Sequence, residues 1–168
     1  MNFDSLYDIQ QHLDQRILDE HRLSQAEILP HKLLALQVEL CELANETRCF
    51  KYWSQKAPAP QATILEEYVD ALHFVLGLGL DLGYRNVPIS SNTAEIPAHV
   101  SQEELTAQFQ TLLSDCALLA AERTPEAFAM LFANLMVLGS MLGFSEVQIK
   151  TAYFEKNKIN HLRQNEGY

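Results

Sequence analysis

Phe3, Leu6, Ile9, Leu13 and Ile17 recur at spacings of three and four, which predicts an amphipathic first helix. Ser24-x-x-Glu27 opens a second, as a capping box in which each side chain satisfies the other's backbone N–H. Pro30 lies within its first turns and has no N–H to donate, so the regular part is expected to begin only there. Leu33, Leu36, Leu40 and Leu43, with Cys41, then mark the buried side. Ala57-Pro58-Ala59-Pro60 cannot continue a helix and reads as a short stiff link. A third helix is expected over residues 61–82, with Gly83 placed to cap it in the left-handed conformation. Residues 84–100 hold Pro88, Pro97 and the Ser90-Ser91-Asn92-Thr93 cluster and form the one long loop. Three more starts follow: the capping box Ser101-x-x-Glu104, the N-cap Thr124 with Pro125 at the first helical position, and Ser145-x-x-Gln148. Gly143 ends the helix that Thr124 begins. No stretch alternates strictly and nothing repeats. The expectation is all-α: one domain over residues 1–168, a bundle of five or six helices.

Composition narrows the function classes. Twenty-two acids against 12 lysines and arginines leave a formal charge of −10, the wrong sign for wrapping duplex DNA. A nucleotide stays open, because a divalent cation bridges acidic protein to acidic ligand. Three cysteines, Cys41, Cys49 and Cys116, cannot all pair and include no C-x-x-C. With no basic, apolar leader at the N-terminus, they predict buried thiols in a reducing, cytoplasmic setting. Residues 127–144 carry no charge and reach the lower limit of a membrane span. Asn134, Ser140 and two glycines interrupt them, and Glu126 and Glu146 flank them without a basic cluster, which favours a protein environment. A stripe of Phe128, Leu131, Phe132, Leu135, Met136 and Leu138 at the outside of a small bundle would need a cover. A homodimer with this helix at the interface is therefore expected.

The chemistry lies in the acids. Glu39 and Glu42 stand three apart on one face of the second helix, and Glu67 and Asp70 repeat that spacing on the third, with Glu46 and Glu66 nearby. Solvated helix faces are the usual fate of such residues. Here, however, Leu40, Cys41, Leu43 and Ala44 surround one pair, and Tyr68, Val69, Ala71 and Leu72 the other. Two carboxylates about 5 Å apart repel by roughly 3 kcal/mol at an effective dielectric near 20. Four converging acids must raise their pKa values or hold a cation. All-oxygen ligands favour Mg²⁺, with Mn²⁺ next, over Zn²⁺. At the other end of the chain, Lys156, Asn160 and Arg163 fall at helical spacing as one face of donors suited to phosphate oxygens.

Glu39-x-x-Glu42, 24 residues, then Glu67-x-x-Asp70 resembles the ExxE…ExxD signature of the all-α nucleoside triphosphate pyrophosphohydrolases. In detail the chain is closer to the dimeric dUTPases. The similar blocks are 42–46 (ELANE), 50–54 (FKYWS), 66–74 (EEYVDALHF) and the tail Tyr153-x-x-Lys156-Asn157-x-x-Asn160-x-x-Arg163-Gln164-x-x-Gly167-Tyr168. They keep the family's order and span almost the whole chain. The resemblance implies hydrolysis of dUTP, and of dUDP, to dUMP, with attack at the β-phosphorus and assembly as a homodimer. It implies metal held by Glu39, Glu42, Glu67 and Asp70, and phosphates held by Lys156, Asn160 and Arg163 with Tyr168 closing over them. Trp53, His73 and Phe74 would hold the uracil ring, with Asn157 beside base and sugar. Where the family reads the base edge with Gln and Asn, this sequence offers Gln11 and Asp14. An ionised Asp14 accepts but does not donate, which keeps cytosine open beside uracil.

For mechanism, Glu39 is the carboxylate expected to orient or deprotonate water for in-line attack, the metals neutralising phosphate charge and acidifying water. Two rivals stand beside this reading: a related pyrophosphohydrolase acting on dCTP or a damaged nucleotide, and a non-catalytic helical interaction protein. The Gly77-x-Gly79-x-x-x-Gly83 run follows a helix and not a strand, so close helix packing explains it better than a dinucleotide site.

Overall fold

The computed structural model describes residues 2–90 and 99–166. Six helices hold most of them: α1 (Asp4–His21), α2 (Gln25–Thr47), α3 (Gln61–Asp81), α4 (Gln102–Glu122), α5 (Pro125–Met141) and α6 (Glu146–Asn165). All three capping boxes form as the sequence predicts, and Thr124 caps α5 through Ala127 N–H with Pro125 at its first position. Gly83 and Gly143 take φ of +75° and +80° just past α3 and α5. There the backbone folds back from Tyr84 N to Gly79 O (2.7 Å) and from Phe144 N to Gly139 O (3.0 Å), and a side chain would be strained.

Two expectations for α2 are corrected. The helix begins at Gln25 and runs through Pro30, because the Ser24–Glu27 box satisfies its start. Both Ala26, whose carbonyl loses its partner, and Pro30 face solvent, where water takes up that carbonyl. Cys41 is exposed, unlike Cys49 and Cys116, since Leu40 and Leu43 take the inward positions around it.

α3 is the buried centre. It packs on α1, α2, α5 and α6, and from Tyr68 to Gly79 only Asp70 and Phe74 are less than buried. The expected bare stripe on α5 does not exist in the single chain. Phe128, Leu131, Phe132, Leu135 and Leu138 are fully buried and Met136 partly so. Phe3 covers Phe132 at 4.6 Å between ring centroids, Tyr84 covers Phe128, and the Tyr68 hydroxyl donates to Leu135 O at 3.1 Å. α5 is apolar all round because neighbours from four other parts of the chain close over it. Among the described residues no single helix is long and apolar enough to cross a membrane.

Candidate active site

The long contact between α2 and α3 brings the two acidic faces together. One oxygen each of Glu39, Glu67 and Asp70 lies within 4.8 Å of the others, all three side chains half-buried. Burial first, then the charges of Asp70, Glu42 and Glu67, push Glu39 up to about 7. Burial likewise raises Glu67 and Asp70 above the usual carboxylate range. Glu42 is exposed one turn along, close enough to act on Glu39 and Glu67 by its charge without joining the three.

From α6, the buried Lys156 closes the cluster, with Nζ 2.6 Å from Asp70 Oδ2 and 2.9 Å from Glu66 Oε1. Burial opposes its charge, yet the bonds to Asp70 and Glu66 outweigh that and raise Lys156 above the usual lysine value. The cation is thus already at the acids, where triphosphate oxygens would also arrive.

Beside the acids opens a cavity of about 450 Å³ with Glu39 and Asp70 on its wall. α1 contributes Gln10, Leu13, Asp14 and Ile17; α2 adds Ile28, His31, Lys32 and Ala35; α3 adds His73, Phe74 and Gly77; α6 adds Asn160, Arg163 and Gln164. Charged and apolar walls meeting in this way suit a ligand with an anionic end and a flat, weakly polar end. His73 is buried and stacks on Tyr153 at 3.9 Å between centroids. Burial, with the charge of Lys156, pulls His73 down to about 3, so it is neutral near pH 7. Its Nδ1 sits 2.8 Å from Gln10 Oε1, which also accepts from the Tyr153 hydroxyl, so Nδ1 carries the proton. His73 Nε2 is then a buried lone pair without a partner among the described residues.

The sequence-derived candidates divide as follows. Glu39, Asp70, Asp14, His73, Phe74, Asn160 and Arg163 all line the one cavity, and Glu67, Glu42 and Lys156 stand at its acidic end. Gln11 does not join them. It points from the outer face of α1 beside His12 and Gln15, and Gln10, four residues before Asp14, takes the inward position. An i,i+4 pair shares a helix face more closely than the i,i+3 pair chosen from sequence. Trp53 is 66% exposed in the turn after α2, edge-on to Tyr52 and Phe50, and is not on the cavity wall. Asn157 is buried, its Nδ2 unpartnered among the described residues, and is also off the wall. Tyr168 lies outside the described residues.

Sequence reasoning missed Gln10, Lys32 and Asp81, and placed Glu66 beside the acids without its bond to Lys156. The signal for two of them was present: Asp70, Phe74, Gly77 and Asp81 form one stripe of α3, and Lys32 precedes Glu39 by two helical turns.

An all-α bundle that gathers acids beside a nucleoside-sized cavity, with a lysine, an asparagine and an arginine at hand, defines a hydrolase of phosphorylated small molecules. Residues 2–168 match the family described as dUTPase, and the chain belongs to that family, the dimeric all-α dUTPases. Its activity is dUTP diphosphatase. No curated protein matches the chain.

Proposed function

We propose that this dUTPase depends on a divalent cation, Mg²⁺ foremost and Mn²⁺ in its place, and yields dUMP and pyrophosphate by attack at the β-phosphorus. Attack there also admits dUDP, releasing phosphate. The observation that carries the reading is the meeting of Glu39, Glu67 and Asp70 oxygens within 4.8 Å. Hard oxygen donors at that spacing fit Mg²⁺; burial above all, and for Glu39 and Glu67 the charge of neighbouring acids, raises the three carboxyls, and a cation would favour their ionised forms. Glu39, Glu67 and Asp70 would hold the ion, with Glu42 completing the set from the exposed side. Bound there, a divalent cation supplies charge neutralisation for the phosphates and acidifies water.

The remaining steps belong to the chain. Glu39, on the cavity wall beside Asp70, orients the attacking water and takes its proton. Lys156 exchanges a carboxylate for phosphate oxygens, and Asn160 and Arg163 reach the same oxygens from the next turns of α6. Tyr168 follows closely enough in sequence to cover them. Phe74 and His73 flank the ring, and Leu13 and Ile17 keep water from it.

The single-chain burial of α5 removes that helix as the reason for a dimer. A second copy instead covers the exposed Leu34 and Val38 on α2 and the Tyr52–Trp53 turn, which brings Trp53 to bear from an interface. Three unpaired thiols fit a cytoplasmic setting. The test is a panel of dUTP, dUDP, dCTP and dTTP with Mg²⁺, read as pyrophosphate and phosphate release. Turnover of dUTP and dUDP that chelation abolishes is expected; preference for dCTP, or turnover that survives chelation, would overturn the reading.

A further inference from the structure

Lys32 belongs to no part of the acid cluster, yet it sits on the cavity wall in a position two helices have been shaped to hold. Its Nζ is 2.8 Å from Asp14 Oδ2 on α1 and 2.8 Å from Asp81 Oδ2 at the end of α3. The three side chains are only 12%, 12% and 3% exposed. Gly77 makes the arrangement possible, because a Cβ there would lie 3.0 Å from Asp14 Oδ2 and 3.2 Å from Lys32 Nζ. The ammonium donates one hydrogen bond to Asp14 Oδ2 and holds Asp81 Oδ2 as an ion pair, and its further N–H capacity is open to the cavity it lines.

The other side of Asp14 is also occupied. Gln10 Nε2 donates to Asp14 Oδ1 at 2.8 Å, and the Tyr153 hydroxyl and His73 Nδ1, both giving to Gln10 Oε1, fix that amide's orientation. Along the wall the groups therefore read donor, acceptor, donor: the Gln10 amide, the Asp14 carboxylate, the Lys32 ammonium. The edge of uracil reads acceptor, donor, acceptor through O2, N3–H and O4. Cytosine reads acceptor, acceptor, donor, and sets a lone pair against Asp14. Alone, Asp14 has no hydrogen to give; with Lys32 it does the work of an amide.

We propose that Lys32 is a specificity-determining residue, its ammonium supplying one of the two donors that select a pyrimidine with carbonyls on both sides of N3–H. This rests on the dUTP reading above and adds the residue that makes Asp14 compatible with it.

The experiment compares kcat and KM for dUTP and dCTP in wild type, Asp81→Asn, Lys32→Met/Asp81→Asn, and that double variant with Asp14→Asn added. Replacing Asp81 together with Lys32 leaves only Asp14 without its cation, still bonded to Gln10, and the variant with Asp14→Asn added removes that charge as well. Relative to Asp81→Asn, the double variant is expected to raise KM for dUTP at least tenfold, with a much smaller change in kcat. For dCTP, which has no such edge to lose, kcat/KM should move less than threefold. Adding Asp14→Asn restores an acceptor and a donor on one side chain and should recover most of the dUTP loss. Lys32→Arg keeps the charge, and hence the fold, but misplaces the donor, and should also raise KM for dUTP. An unchanged KM in both Lys32 variants, or an equal loss for dUTP and dCTP, would overturn the role of Lys32 while leaving the dUTP reading intact. A wild-type enzyme that ignores dUTP would remove both.

Discussion

At the scale of the residue, the site turns on side chains whose charge is out of place. Glu39 sits half-buried among three other acids and rises to about 7, while its neighbour Asp70 is bonded to Lys156. Glu39→Gln keeps the shape and removes the base, and Asp70→Asn keeps the shape and removes a ligand. Each is expected to cut kcat for dUTP by about 10²–10⁴-fold, the usual range for a positioned acid or base, with the fold intact by circular dichroism. Unchanged pyrophosphate release from either variant at saturating Mg²⁺ would refute the assignment. The acids were legible in the sequence because three-residue spacing on a helix dictates a shared face, and apolar neighbours signalled burial. Gln10 was not, because Gln10 and Gln11 are adjacent and only the rotation of α1 against α3 decides which turns inward. Trp53 stands exposed and off the cavity wall of the single chain, a placement that was not legible because a tryptophan in a turn suits core and pocket alike.

At the scale of the element, boundaries were well marked and depth was not. Capping boxes, Thr124-Pro125 and the two left-handed glycines are local chemistry, and they marked the start of α4, α5 and α6 and the end of α3 and α5; at α2 the box set the start and Pro30 wrongly suggested a later one. Which helix lies at the centre depends on how six of them stack, so an apolar α5 looked like an outer helix awaiting a partner while α3 held the middle. The glycines of these helices record the closeness of that stacking. A Cβ on Gly139 would lie 2.6 Å from the Tyr68 hydroxyl, and one on Gly79 would lie 2.7 Å from Phe128 Cζ. Neither ring is free to move, since both are fully buried and Tyr68 is bonded to Leu135 O. Gly139→Ala and Gly79→Ala are therefore each expected to destabilise by about 1–3 kcal/mol. In a chain of this size that is a fall in Tm of roughly 2–4 °C per kcal/mol. A thermal melt reads it directly, and a Tm at or above wild type would show that the helices separate more easily than this packing allows.

At the scale of the whole molecule, assembly and ion binding are the open equilibria. Of the exposed large apolar side chains, Leu34, Val38, Tyr52 and Trp53 lie on and just after α2, and Val147, Ile159 and Leu162 on α6 are scattered along a mostly polar helix. Light scattering should therefore give a mass near twice the 19.1 kDa chain, and Val38→Glu should shift it toward one copy. A wild-type monomer with full activity would disprove the dimer.

The ion binding is linked to pH, and the sign follows from the acids. Glu39, ordinarily near 4.5, rises to about 7 on folding, and Glu67 and Asp70 rise with it. Folding therefore binds protons between those values, and the acids' contribution to stability is full below about 4.5 and declines as pH climbs through about 7. His73 acts in the opposite sense. Lowered from 6.5 to about 3, it adds stability as pH rises toward 6.5 and nothing further above it. The two effects oppose one another below 6.5, and only the acids' decline remains above it. A divalent cation separates them, because it binds the ionised acids and leaves His73 untouched. The rise in Tm caused by millimolar Mg²⁺ should be small at pH 5, where protons hold the site, and larger at pH 8. Glu39→Gln should flatten that dependence. An Mg²⁺ shift equal at both pH values, or absent at both, would mean that the three acids meet for some reason other than to hold an ion.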